Sequence, residues 1–308
     1  MSTPDTTLHL IGLTGTGKTN FLVAFDIILD HPCDEHGLVH SGLADDRTYL
    51  APLREAWLRG EVFERTNRQI PPPPHQLSVK HRPSGTQVGF NLPDLAGETI
   101  ESFFVTRTIP QNLWERIKKA DGLLLFVHCD HNADHTILED PAFIEPEHLP
   151  QTAAKSTAAD TDPEWRLEDA AMQVKLVDLL QFVAESGERA QPIRIAVILS
   201  AWDLVEKAQR IGPGMAKELP KNPTRFLAHC WPLLHQFLES NEDVFCHRVF
   251  GVSARGGGNS PDEIERLTSI DQPSDRVILV DDEHRSKDLT RPIRWLLGLM
   301  HSPTSPDV

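Results

Sequence analysis

Gly12-Leu13-Thr14-Gly15-Thr16-Gly17-Lys18-Thr19 spells the pattern G-x-x-x-x-G-K-[ST] in full. Residues of these types at this spacing bind phosphate. Gly12, Gly15 and Gly17 let the backbone curl, so that successive N–H groups of the loop, through Thr14 and Thr16, face a β-phosphate. The N-terminus of a helix opening at Asn20 adds positive potential. Lys18 would span the β- and γ-phosphates, and the Thr19 hydroxyl would bind Mg²⁺. The flanks agree, because the apolar run Leu8–Ile11 reads as a strand and Asn20–Leu29 reads as an amphipathic helix. The loop therefore predicts a nucleoside triphosphate as ligand.

Three later stretches could complete such a site. Asp94-Leu95-Ala96-Gly97-Glu98 closes a short strand. There, Asp94 would hold Mg²⁺ through water while the Gly97 N–H senses the γ-phosphate, an ordinary strand-end turn being the plain alternative. Ser200-Ala201-Trp202-Asp203 follows the apolar run Ile193–Leu199. In GTPases this place carries [NT]-K-x-D, a likeness that implies that the Asp203 carboxylate accepts two hydrogen bonds from the guanine edge, a pattern that adenine does not offer equally. Trp202 has two readings, a ring stacked on the base or a core tryptophan. Val252-Ser253-Ala254-Arg255 ends a further short strand and looks like the S-A-[KR] loop of GTPases, whose backbone N–H contacts the guanine oxygen.

Strands and helices must alternate to place these stretches. Residues 46–59 read as a helix with Tyr49, Leu50, Leu53, Trp57 and Leu58 on one stripe and Gly60 as its exit. Four consecutive prolines from Pro71 read as a stiff extended segment. Gln76–Arg82 and Gln87–Leu92 flank Pro83-Ser84-Gly85 as a hairpin. A helical stretch broken or restarted at Pro110 ends near Lys119, and Gly122–His128 reads as a strand buried on both faces. Residues 131–163 lack periodicity and read as a flexible insertion. A long amphipathic helix from Trp165 to Val183 follows, then short strands at Val249–Ser253 and Arg276–Val280, a closing helix Arg291–Met300 and a disordered tail over residues 302–308. The alternation predicts an α/β fold, a doubly wound and mostly parallel sheet with a β-hairpin edge, within a single domain over residues 1–308.

In their order the four stretches resemble a P-loop GTPase of the translation-factor-related (TRAFAC) class, which includes Ras-like switches. The likeness runs from about Leu8 to Leu297. The chain is more closely similar to the bacterial double-GTPase family of multi-gene conflict or defence systems. That likeness rests on Trp57-Leu58-Arg59-Gly60 with Arg65-Thr66, on Pro232-Leu233-Leu234, on Phe250 through Gly257, and on Asp288-Leu289-Thr290 before Trp295-Leu296. The resemblance implies GTP and GDP as ligands with Mg²⁺, slow hydrolysis of GTP as a regulatory switch, and protein partners. It also makes Thr66 the switch threonine that completes the Mg²⁺ shell, with Thr48 a less apt competitor inside a helix. Glu98 stands where relatives keep a glutamine that orients water, or else is an acid at a helix start. Arg65 is a candidate arginine finger or an ordinary surface arginine. Ser200-Ala201 departs from the class pattern [NT]-K, so the lysine stem that covers the base is missing. A non-hydrolysing nucleotide scaffold and an ATPase of a related P-loop class are the rival readings.

Composition narrows the class further. A net charge of −15 over 308 residues argues against a duplex nucleic-acid binder. No apolar run reaches the roughly 20 residues of a membrane span, and Met1–Asp5 has no signal-peptide character. Four scattered cysteines without a CxxC pair read as reduced thiols, the pattern of a cytoplasmic protein. His128-Cys129-Asp130-His131 with His135, and His31-Pro32-Cys33-Asp34-Glu35-His36, have ligand-type residues but no partner element to finish a zinc tetrahedron. Gly256-Gly257-Gly258 reads as a flexible exit from the base loop.

Overall fold

The structure is a computed structural model that describes residues 6–41, 48–61, 75–92, 97–129, 170–185, 191–206, 222–282 and 284–300, without the side chains of residues 75, 76 and 97–99. The expected insertion at 131–163, the prolines at 71–74 and the tail at 302–308 lie outside the described residues.

Among the described residues nine strands form one sheet: β1 (Thr6–Ile11), β2 (Leu38–His40), β3 (His75–His81), β4 (Gln87–Leu92), β5 (Gly122–His128), β6 (Ile193–Ser200), β7 (Phe245–Ser253), β8 (Ile278–Val280) and β9 (Arg285–Ser286). Their order is β2-β3-β4-β1-β5-β6-β7-β8-β9. The five central strands, β4 through β7 by way of β1, are parallel. Antiparallel wings close both sides, β2 and β3 on one and β8 and β9 on the other. The sheet is thus the expected α/β arrangement, with a second antiparallel wing that the chain's periodicity does not announce.

The central strands are apolar on both faces because helices cover both. In β5, Leu123, Leu125 and Val127 join one core cluster and Leu124 and Phe126 the other. The first cluster is covered by α3 (Gly97–Thr106), α4 (Gln111–Lys118), α5 (Met172–Ala184), α6 (Trp202–Glu206), α7 (Pro223–Cys230) and α8 (Pro232–Ser240). The second is covered by α1 (Lys18–Asp30), α2 (Ala51–Leu58) and α10 (Arg291–Leu296), while α9 (Pro261–Thr268) follows the end of β7. Among the described residues no helix is long and apolar enough to cross a membrane.

Several boundaries move from their expected places for local reasons. Pro52 sits in the first turn of α2, where its missing N–H costs nothing, so the helix starts at Ala51 and Thr48 lies outside it. Leu58 is among the exposed large apolar side chains rather than on the buried stripe that carries Trp57. Pro110 is the N-cap of α4, and Arg107 ends α3 in a left-handed conformation, so the break expected there separates two helices. β7 is longer than expected, because β6 pairs with it over its whole length. The late strand begins only at Ile278, since Pro273–Arg276 is a 3₁₀ turn. α10 stops at Leu296, ahead of Gly298 in a left-handed conformation.

His9 is fully buried in β1, and neither ring nitrogen finds a hydrogen-bond partner among the described residues. Burial first, and the charge of Arg116 second, lower its pKa from 6.5 to about 4. The unfolded chain therefore binds a proton in a pH range where the folded chain refuses it. Stability falls as pH drops below about 6.5, and the loss is complete near pH 4. By pH 4.5 the cost is about 2–3 kcal/mol. Urea unfolding at pH 7 and pH 4.5 should show His9→Leu losing less stability on acidification than the wild type, by roughly that amount.

Candidate functional site

The parallel register brings the carboxyl ends of β1, β4, β5, β6 and β7 to one edge of the sheet. Chain order reverses around β1, which lies between β4 and β5. Ligands of open α/β sheets bind at such a reversal, outside the strand ends. The loop after β1, the loop after β6 and the loop after β7 open there.

The first loop is built around its glycines. A Cβ on Gly12 would come within 2.7 Å of the Phe126 carbonyl oxygen at a φ of +146°, so only glycine lets the loop leave β1 so close to β5. Gly17, at a φ of +84°, is the N-cap of α1 and contributes no capping side chain. The first turn of α1 contains no acid either, so its positive end faces the loop without a competing carboxylate from the helix itself. Lys18 is buried, and its Nζ donates to the carbonyl oxygens of Gly12 and Leu13, each at 2.8 Å. Thr16 is fully buried, and its hydroxyl donates to the same Leu13 oxygen at 2.8 Å. The lysine is therefore folded back along the loop, its ammonium held on two of the loop's own carbonyl oxygens.

Ser200, at the end of β6, donates from Oγ to the carbonyl oxygen of Thr16 at 2.8 Å. The position that departs from the class pattern thus ties the phosphate loop to the loop after β6. Ala201 follows with a φ of 57°, a left-handed conformation uncommon for a residue with a Cβ. The turn it makes buries Asp203, whose Oδ1 accepts a 2.6 Å hydrogen bond from Ser253 Oγ. Ser253 Oγ in turn accepts from the Gly256 N–H at 3.1 Å. The structure brings the carboxylate after β6 and the serine ending β7 into one hydrogen-bonded pair.

Trp202 stands elsewhere. Its ring is fully buried, makes an edge contact with Phe226 at 5.2 Å, and fills the space where a Cβ on Gly251 would sit 2.3 Å from Cδ2. It is a core residue under β7, and the stacking reading gives way to the packing one. Arg255 also points away from the mouth of the site, its guanidinium donating to the Gly60 oxygen and to Asn259 Oδ1. Ala254 packs against the core cluster that carries Phe250 and Val252. Gly256 is no loose exit. A Cβ there would meet the Arg276 oxygen at 1.9 Å, and its φ is +81°.

Four expected site residues cannot be placed in this way. Asp94, Arg65 and Thr66 lie outside the described residues, as does the side chain of Glu98, whose backbone with that of Gly97 opens α3. Among the described residues no group of three His, Cys, Asp or Glu side chains is arranged to hold a metal. The turn at Cys33–His36 is held by its own hydrogen bonds, with the Cys33 N–H donating to His36 Nδ1 at 3.2 Å.

Glu101 is a site residue that the chain's patterns do not reveal. It lies on α3, and its Oε1 accepts from the Thr14 N–H at 2.8 Å. A carboxylate thereby sits on the rim of the phosphate loop, and any polyphosphate entering the site meets that charge. The only signal was its place one helical turn after Gly97, which many exposed acids share.

The glycine cradle, the buried ammonium and the carboxylate after β6 together fit a nucleoside triphosphate. The family described as Double-GTPase 1 matches residues 9–296. Among solved structures the chain is similar to one from the signal recognition particle receptor SRb-GTP/SRX complex of Chaetomium thermophilum, at 14% identity and a TM-score of 0.40. That likeness covers 87% of this chain and 97% of the other. No curated protein matches.

Ser200→Ala removes the tie to Thr16 while leaving Asp203 in place. One buried hydrogen bond of this kind is worth about 1 kcal/mol, so guanine nucleotide affinity should fall about fivefold. Titration calorimetry of both proteins with GDP and Mg²⁺ checks it, and equal affinities would mean that the tie does not hold the loop.

Proposed function

The chain belongs to the Double-GTPase 1 family, and on that premise we propose that it binds GTP with Mg²⁺ and hydrolyses it slowly as a regulatory switch in a bacterial multi-protein system. The observation that carries this reading is the Ser253–Asp203 pair. It joins stretches 50 residues apart at the ends of β6 and β7, on the same sheet edge as the phosphate loop. Ser253 occupies one carboxylate oxygen and orients the group to accept from a guanine edge. The Ala254 N–H is the donor available to the guanine oxygen.

Lys18, pivoting from its loop carbonyls, holds β- and γ-phosphate oxygens and stabilises the charge that develops as the γ-phosphoryl group leaves. The amides of the loop bind the β-phosphate. The Thr19 hydroxyl would hold Mg²⁺, with Asp94 and Thr66 as its proposed companions, and the ion would neutralise charge between the β- and γ-phosphates. Hydrolysis is attack of water on the γ-phosphorus with cleavage of the bond to the β-phosphate oxygen. Glu98 in the place of a water-orienting amide adds negative charge beside the triphosphate, as does Glu101 on the loop rim, which supports a low intrinsic rate and a need for protein partners. Arg65 remains the arginine proposed to act in cis.

Competition of GDP, GTP and ATP for the purified protein with Mg²⁺ tests the base assignment. Guanine nucleotides should win against ATP, and Asp203→Ala should abolish the preference, because the two donors of the guanine edge then lose their acceptor. Lys18→Ala should abolish turnover, measured as phosphate release. Unchanged turnover in that variant, or an adenine preference in the wild type, would overturn the reading. Tight guanine binding with no phosphate release over hours would select the non-hydrolysing scaffold.

A further inference from the structure

Two arginines outside the phosphate loop converge on one helix end. α2 closes with Gly60 at a φ of +68°; the Gly60 N–H donates to the Trp57 oxygen at 3.0 Å and the Glu61 N–H to the Ala56 oxygen at 2.8 Å. That is a Schellman closure, and it leaves the carbonyls of Leu58 and Gly60 without helix donors. Arg276 supplies one set of donors. Its Nη1 donates to the Trp57 oxygen and its Nη2 to the Leu58 oxygen, both at 2.9 Å, while its guanidinium lies over the Trp57 ring at 4.9 Å. Arg255 supplies the other, through its bond to the Gly60 oxygen.

The arrangement is costly as mere packing. Arg276 and Trp57 are buried, and the Nε atoms of both arginines find no partner among the described residues. Burial lowers the pKa of both guanidinium groups, and the charge of Arg255 lowers that of Arg276 further. Two like charges are held side by side, a cost that the negative end of the helix dipole and, for Arg255, the Asp203 charge partly offset. Both arginines also belong to the base side of the site. Arg255 is the second residue after Ser253, the partner of Asp203. Gly256 packs on the Arg276 carbonyl with no room for a Cβ, and its own oxygen accepts from Arg266 at 2.5 Å.

We propose that Arg255 and Arg276 are positioning residues that make the carboxyl end of α2 a strut for the base loop, so that occupancy of the base site and order at the end of α2 are coupled. The proposal rests on the reading of Asp203, Ser253 and Ala254 as the guanine site. Coupling of this kind is reciprocal: nucleotide steadies the end of α2, and a displacement of α2 loosens the nucleotide. α2 is reached from outside, since Leu58 is exposed and Arg59 and Glu61 form an exposed ion pair. A partner that pulls on this end would therefore act on nucleotide release without touching phosphate.

Amide hydrogen exchange at Gly60 and Glu61, with and without saturating GDP and Mg²⁺, tests the proposal. In the wild type GDP should slow exchange there about tenfold, the worth of one or two hydrogen bonds. In Arg276→Met, measured at GDP concentrations that restore saturation, the ratio with and without GDP should fall towards one, and GDP should dissociate faster. Arg276→Lys keeps the charge and the stem over Trp57 but reaches one carbonyl only, so it should fall between, and it carries the test if the methionine variant fails to fold. A purely structural role would lower protection equally in both states and leave the ratio unchanged, which would overturn the proposal. A wild type in which GDP leaves these amides unchanged would do the same. Failure of guanine nucleotides to bind at all would overturn the functional reading and this inference with it.

Discussion

The bond from Ser200 Oγ to the Thr16 oxygen is the contact on which the site's arrangement depends. A phosphate loop must aim its N–H groups inward, and that turns carbonyls outward, where each needs a donor. Lys18 and the Thr16 hydroxyl serve those of Gly12 and Leu13. Thr16 has its donor in another strand, and so the loop after β1 is keyed to the loop after β6. Parallel pairing of β1, β5 and β6 supplies the coarse alignment, and this one hydroxyl supplies the fine one. From β6 the constraint passes through Ala201 to Asp203, and from Asp203 across to Ser253 and β7.

What the chain revealed of itself follows from the range of the forces involved. The phosphate loop was legible because its glycines, lysine and threonine are needed at fixed spacing, and β5 and β6 because a strand covered on both faces must be apolar throughout. Asp203 and Ser253 were legible as strand-end residues, although nothing in the sequence says that they touch. Trp202 was ambiguous for a physical reason: an indole that stacks on a base and an indole that fills a core have the same composition, and only the approach of Gly251 separates them. Arg276 was invisible, since its partners are carbonyl oxygens more than 200 residues away, and carbonyls carry no sequence signature. β2, β8 and β9 were missed or blurred because two or three residues make no period.

The base loop shows how much can rest on atoms that sequence patterns treat as blank. It is held by Ser253 on a carboxylate, by Gly256 against a neighbouring carbonyl, and by Arg255 and Arg266 on carbonyl oxygens. Three of these four contacts involve main chain, and the carbonyls they use belong to Gly60, Gly256 and Arg276. The carboxylate contact of Ser253 and the main-chain contacts that attach the loop to the rest of the molecule thus use different atoms of one loop.

The two ends of the sheet have a consequence of their own. β2 has three residues and β9 two, and Arg285 at the outer end of β9 is held in an ion pair with Glu206. Strands that short offer few rungs of their own for a foreign strand to zip against. Ladder extension from β2 or β9, the route by which end strands recruit their neighbours, has little to build on among the described residues.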